Sequence, residues 1–305
     1  MGKGTAFNAP LIVFPGRAVP GAAQSADVDA APSVIYAGTA LMDSRAAYNN
    51  GRAGVLGFSS IGLTTVVDVI PSAVSTTAIA AAQAAASGTP LTLASSSSGG
   101  ITVLSSATPT YPSGNVIPAG ALVIDGLQST FNVGLDGATQ IWSPATLAQR
   151  AVQITSVGND SGGYFIVSGC DYAGYPVTQR VTGANAGVAK STKTFKAIYS
   201  ITPGGTLSGS NVSVGQADVY GFPLLASKWE DVLVFWNGAL VTSSTGFVAA
   251  DATNPATNLT GDTRGSYAVQ SASDGTKRLV MRVSPQVSAV AGATVNASIW
   301  GVTSV

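Results

Sequence analysis

The segment Gly183-Ala184-Asn185-Ala186-Gly187-Val188-Ala189-Lys190-Ser191 sets glycines ahead of a Lys-Ser pair, the residue types that cradle a phosphate. In such a loop the second glycine directly precedes the lysine, so that backbone amides and the ammonium converge on the same oxygens. Here Val188 and Ala189 intervene and no helix signal follows, so a glycine turn between two strands is expected. The carboxylates offer little more. Asp27 and Asp29 form an Asp-x-Asp pair, and Glu230, the one glutamate, stands beside Asp231. Either pair could present hard oxygen ligands to a cation, but neither belongs to the dense ligand series of a calcium loop, and turn or edge-strand charges are the expectation. Glycoside hydrolysis needs two carboxyl groups about 5 to 10 Å apart, for which scattered aspartates give little material.

Histidine is absent, which removes the usual general base and the commonest zinc ligand together. Serines are abundant, yet without an imidazole the activated-serine triad cannot be assembled; only Ser-Lys variants stay formally open. Cys170, the one cysteine, allows no internal disulfide and lies in an apolar strand-like run, where a buried inert thiol is expected. Trp142, Trp229, Trp236 and Trp300, with Tyr164, Tyr172, Tyr175 and Phe195, could line a sugar site, but aromatics this scattered are expected as core or interface anchors. No catalytic, cofactor-binding or metal-ligating residue is assigned, and no enzymatic activity is expected.

The elements that would have to position any such group are mostly strands. Charged residues are 9% of the 305, against about 25% in ordinary soluble domains, and Lys+Arg balance Asp+Glu at 14 each. A neutral exterior follows, without the basic field that nucleic-acid binding needs. No apolar run approaches the roughly 20 residues of a membrane-spanning helix, and Leu11 to Phe14 is too short for a signal-peptide core. Pro10, Pro15, Pro20 and Pro32 forbid long helices and central strands near the start, so residues 1–60 are expected as an extended N-terminal arm. Residues 61–150 read as a first β-rich region. It contains one helix signal over 75–87, where Ser75, Thr76 or Thr77 can cap an alanine run that Gly88 stops.

From Ile101 onward, short apolar runs alternate with turn residues, the rhythm of an antiparallel β-sandwich or barrel, and residues 151–305 read as a sandwich-like region. Strands are expected at 61–70, 101–104, 121–124, 129–133, 152–157, 164–170, 177–181, 194–201, 212–214, 229–236, 239–241, 278–283 and 295–300. Turns at Gly158–Gly163 and Asp171–Gly174 predict a three-stranded antiparallel meander. Asn237-Gly238 between apolar residues predicts a hairpin.

Several stretches carry a wider likeness: Gly158-Asn159-Asp160-Ser161-Gly162-Gly163, Asp171-x-x-Gly174-Tyr175-Pro176, Val181-Thr182-Gly183-Ala184-Asn185, Ser191-Thr192-Lys193-x-Phe195-Lys196 and Ser200-Ile201-Thr202-Pro203. Further along come Asp218-Val219-Tyr220-Gly221-Phe222-Pro223-Leu224, Thr260-Gly261-Asp262-x-Arg264-Gly265 and Ser273-Asp274-Gly275-Thr276-Lys277-Arg278-Leu279. In these the chain resembles virion structural proteins of tailed bacteriophages. The motifs are turns and strand ends, so the resemblance implies a particle component and assigns no site residue. It leaves open the capsid shell, the neck and the tail. The long spine helix of the usual major shell protein has no counterpart in the sequence, which turns the expectation to a capsid decoration or cement protein in the virion. That protein would be assembled in the host cytoplasm against the major capsid protein and copies of itself, with closed trimers a common solution where three subunits meet. Neck, tail or fibre-attachment roles are the alternative, followed by a major capsid protein or a glycan-binding or glycan-hydrolysing virion protein.

Overall fold

The computed structural model of the chain describes residues 65–109, 115–126, 131–132, 140–141 and 147–283. The described residues other than Thr65 fall in one compact unit. The expected arm, the strand at 295–300, and Asp27, Asp29, Trp142 and Trp300 lie outside the described residues.

Runs rich in Val, Ile, Thr, Tyr and Phe between glycine-bearing turns favour strands, because branched and aromatic side chains fit a pleated, half-buried surface. In chain order these are β1 (Thr65–Val69), β2 (Ala80–Ala84), β3 (Ile101–Val103), β4 (Thr108–Pro109), β5 (Val116–Ile117), β6 (Leu122–Ile124), β7 (Phe131–Asn132), β8 (Gln140–Ile141), β9 (Arg150–Ser156) and β10 (Gly163–Cys170). They continue as β11 (Pro176–Thr182), β12 (Val188–Phe195), β13 (Ala197–Gly205), β14 (Asn211–Gly221), β15 (Val232–Trp236), β16 (Ala239–Leu240), β17 (Phe247–Val248), β18 (Ser266–Ala268) and β19 (Leu279–Val283). One 3-10 turn, Trp229–Asp231, leads into β15.

The architecture is mainly antiparallel β. A five-stranded sheet runs β11-β10-β13-β6-β3, and a six-stranded sheet runs β12-β9-β14-β18-β17 with β2 also on β14. They pack face to face as a sandwich: Val152, Ile154, Val212 and Val214 from the six-stranded sheet meet Phe165, Val167, Ile198 and Ile201 from the five-stranded one in a single buried cluster. Removing that much apolar surface from water is the main favourable term of the fold. A second cluster joins the four-stranded sheet β1-β19-β15-β16 to the far end of β14 and to β18, through Val67, Val234, Trp236 and Met281 against Tyr220, Phe222 and Tyr267.

Three expectations change. The alanine run is not a helix: residues 80–84 are β2, paired with β14 as Asn211↔Ala84 and Val212↔Gln83. The local capping signal survives, since Ser75 Oγ accepts hydrogen bonds from the N–H groups of Thr77 and Ala78 at 3.1 and 3.0 Å. A helix of this length is marginal by itself. Extended, the segment instead buries Ile79 and Ala80 completely and donates the Ile79 N–H to Val214 O at 2.9 Å.

The meander is also corrected. The Asp171–Gly174 turn does join the paired strands β10 and β11, but Gly158–Gly163 carries the chain from one layer of the sandwich to the other. Six residues are ample for that crossing, which lets the apolar faces of β9 and β10 oppose each other in the core. Finally, the run 194–201 is two strands in different sheets, parted at Lys196. The Asn237-Gly238 hairpin is present: Trp236↔Ala239 closes it, with φ of 52° and 84° at the turn, as a two-residue turn of matching twist demands.

Candidate functional site

Arg150 begins β9 at the junction of the two cores, and it is wholly buried. Its donors are all engaged. Nε donates to Ala217 O at 3.0 Å; Nη1 donates to Ser72 O at 2.9 Å and to Asp125 Oδ2 at 3.3 Å; Nη2 donates to Asp218 Oδ1 at 2.9 Å and to Ser273 Oγ at 3.2 Å. The carboxylates are held in turn. Asp125 Oδ1 accepts from the Ser72 N–H and hydroxyl at 3.0 and 2.7 Å, and Asp218 accepts from the Ser273 hydroxyl at 2.6 Å and N–H at 2.9 Å. The guanidinium lies 5.1 Å from the Tyr220 ring centroid, and burial pushes the Tyr220 phenol well above its ordinary range. Four separated stretches of chain thus meet on one cation.

A second clasp fixes the loop between β17 and β18. Arg264 Nη2 donates to Asp171 Oδ2 at 2.7 Å while Asp171 Oδ1 accepts from the N–H groups of Ala173 and Tyr175 at 2.8 and 2.9 Å, which holds the β10–β11 turn. Asp262 accepts from the Thr194 N–H and hydroxyl at 3.0 and 2.7 Å, and Lys193 Nζ donates to Thr257 O at 2.8 Å. Between the clasps sits Lys196, fully buried, its Nζ donating to Ala148 O at 3.1 Å. Burial lowers its ammonium pKa to about 8, an effect that the nearby Asp125 partly offsets. Burial likewise pushes the Cys170 thiol up to about 12, although Tyr199 hydrogen-bonds to it.

An open cleft of about 770 Å³ lies beside the first clasp, lined among others by Asp68, Ile70, Gly100, Asp125 and Arg278. Its charged groups are already taken: Arg278 donates to both oxygens of Asp68, at 2.8 and 2.6 Å, and both oxygens of Asp125 are engaged as above.

These arrangements hold distant segments of the fold together. A thiol held protonated is a poor nucleophile, and a lysine with no exposed surface meets no substrate. The positions singled out in the sequence are dispersed by the fold. Gly183–Gly187 turns between β11 and β12, so the glycine turn replaces any phosphate loop. Glu230 is exposed while Asp231 is buried in the 3-10 turn, and Cys170 is buried at the end of β10. Trp229 stacks on Tyr267 at 5.8 Å and meets Phe247 edge-on, and Trp236 donates to Ser271 Oγ at 3.0 Å, so both tryptophans anchor the second core. Among the described residues no group of three or more Asp, Glu, Cys or His could hold a metal ion, and no helix is long and apolar enough to cross a membrane. Arg150 was missed in the sequence. Its one signal was a cation at the mouth of an apolar strand in a chain with few charges.

No protein-family model, curated protein sequence or solved structure matches this chain.

Proposed function

We propose that the chain is a structural component of a tailed-bacteriophage particle, a capsid decoration or cement protein that stabilises the head by bridging shell subunits. Its partners in this reading are the major capsid protein, or other virion proteins, and further copies of itself. The observation that carries the reading is where the charge goes: Arg150, Arg264, Asp125, Asp171 and Asp218 are committed to one another inside the sandwich. Among the described residues the exposed positions are mostly Gly, Ala, Ser and Thr. Short side chains lose little rotamer entropy when a neighbour covers them, so such a surface suits repeated contacts. The networks that draw distant segments onto one arginine suit a brick that must keep its shape under load. The resemblance of the turn motifs to virion proteins points the same way, and the proline-punctuated residues 1–60 would extend over a neighbour.

Quantitative mass spectrometry of purified particles tests this. Copies on the order of hundreds per particle are expected, as for a protein that repeats with the shell. About a dozen copies would move the chain to the neck or tail, and its absence from particles would end the reading.

A further inference from the structure

The outer face of the five-stranded sheet carries a regular grid. Side chains alternate across a strand, so the residues of β10 that do not enter the core, Tyr164, Ile166 and Ser168, all point outward. The strand registers set them in three rows. Thr178, Ser168 and Ser200 form one row, Arg180, Ile166 and Thr202 the next, and Thr182, Tyr164 and Gly204 the third. With strands about 4.8 Å apart and alternate residues about 6.7 Å apart, the grid covers roughly 10 by 13 Å.

Three properties meet on this face. Arg180 is its one charged residue, it is exposed, and its guanidinium has no ion-pair partner or side-chain hydrogen bond among the described residues. The contrast is with Arg150, Arg264 and Arg278, each paired to a carboxylate. Second, Arg180 is held in place: its guanidinium carbon lies 4.0 Å from the Tyr164 ring centroid. That ring is itself seated against Gly204, where a Cβ would come within 2.6 Å of it. Part of the entropy an arginine loses on binding has therefore been lost beforehand. Third, the hydroxyls of Ser168, Thr178, Thr182, Ser200 and Thr202 make no side-chain hydrogen bond among the described residues. Some hydroxyls elsewhere on the surface close local turns, as at Ser161, Thr260 and Thr276.

We propose that this face binds an acidic sugar: a pyranose whose single carboxylate takes the planar donor fork of Arg180 while its hydroxyls bond to the surrounding Ser and Thr hydroxyls. One free cation among uncommitted hydroxyls is the complement of one carboxylate among hydroxyls. A protein carboxylate would match Arg180 alone and leave the hydroxyl rows unused, and the single aliphatic side chain at the centre of the grid, Ile166, is less apolar area than a protein hot spot requires. Neither face of the Tyr164 ring is open to a sugar, since Arg180 covers one and Gly204 lies at the other, so recognition rests on hydrogen bonds. A flat site of this kind binds weakly, and repetition of the chain over a particle would supply the avidity. In that respect the proposal rests on the particle reading, but its test does not, because it uses the isolated chain.

The test is a titration of the full-length chain with digalacturonate, followed by amide chemical shifts. Shifts are expected at Ser168, Thr178, Arg180 and Thr202, with a dissociation constant of roughly millimolar order. Neutral galactobiose and acetate are each expected to bind at least tenfold more weakly, because each keeps only one half of the complement. Arg180→Ala should weaken digalacturonate at least tenfold while the spectrum stays that of the folded chain, and Arg180→Lys should recover part of the loss. Acetate binding as well as digalacturonate would reassign the face to protein carboxylates and overturn the proposal. So would shifts centred elsewhere, no binding at all, or an unchanged affinity in Arg180→Ala. None of these outcomes alters a copy number counted on particles.

Discussion

Two arginine–aspartate pairs face opposite ends of the solvation scale. Arg278 grips Asp68 through both carboxylate oxygens, at 2.8 and 2.6 Å, with 61% and 45% of the two side chains exposed. Arg150 reaches Asp125 at 3.3 Å and Asp218 at 2.9 Å and is not exposed at all. By distance the first pair is better made. Energetically the order reverses, because the attraction between exposed charges is diluted by water while a buried ion that loses its partner cannot be rehydrated. Position in the fold, rather than contact length, decides which pair the molecule depends on.

The largest effect should come from breaking the buried member. Arg150→Ala leaves Asp125 and Asp218 facing a void, together with the carbonyls of Ser72 and Ala217, and should cost about 3 to 5 kcal/mol. Urea denaturation followed by tryptophan fluorescence reads this as a lower midpoint. Loss of less than about 1 kcal/mol would mean that water reaches the cluster and that the contrast between the two pairs is not one of solvation.

Lys196 sharpens the same contrast through pH. With an ammonium pKa near 8 against 10.5 for an ordinary lysine, the folded chain releases a proton that the unfolded chain keeps through that window. The unfolded state then binds more protons, so this group makes stability rise with pH, by about 1.4 kcal/mol per pH unit. Cys170 acts in the opposite sense from pH 9 upward: its thiol, pushed to about 12, stays protonated in the folded chain after the unfolded one has lost the proton. The clean interval is pH 8 to 9. Across it the wild type should gain about 1 kcal/mol relative to Lys196→Met, whose buried methyl group has nothing to titrate. Parallel stability curves for the two proteins would show that the amine is solvated.

The two halves of this charge pattern differ in how far the sequence reveals them. Strands were legible wherever a run had its own turn chemistry, as at Asn237-Gly238 and Asp171–Gly174, because positive φ and side-chain-capped turns are local properties. The alanine run at 80–84 was misread because its helix propensity is local while its pairing with β14 lies more than a hundred residues away in the chain. Lys196 divides a run that looks continuous, and nothing nearby says that the strands on its two sides join different sheets. The arginine clasp was least legible. Asp125, Arg150, Asp218 and Ser273 have no shared spacing, and only the folded sheets bring them together. The Arg180 grid stands between these cases: its alternation along β10 and β11 is local, but the rows exist only once the register is fixed.

The exposed pair sets the small end of the scale. Asp68 has its carboxyl pKa lowered, first by the hydrogen bond from Arg278, so it stays ionised at neutral pH. Its removal leaves Arg278 in water rather than in a void. Asp68→Ala should therefore cost less than about 1 kcal/mol at low ionic strength, where a surface pair contributes most. In 1 M salt, with a screening length of about 3 Å, the difference from wild type should fall toward zero, while the deficit of Arg150→Ala should persist, since ions cannot enter around a fully buried guanidinium. Urea midpoints for both variants at the two salt concentrations make the comparison direct. If the Asp68→Ala deficit proved as large as that of Arg150→Ala and as indifferent to salt, the cleft that Asp68 and Arg278 border would have to be closed to solvent, and the ranking of the two pairs would collapse.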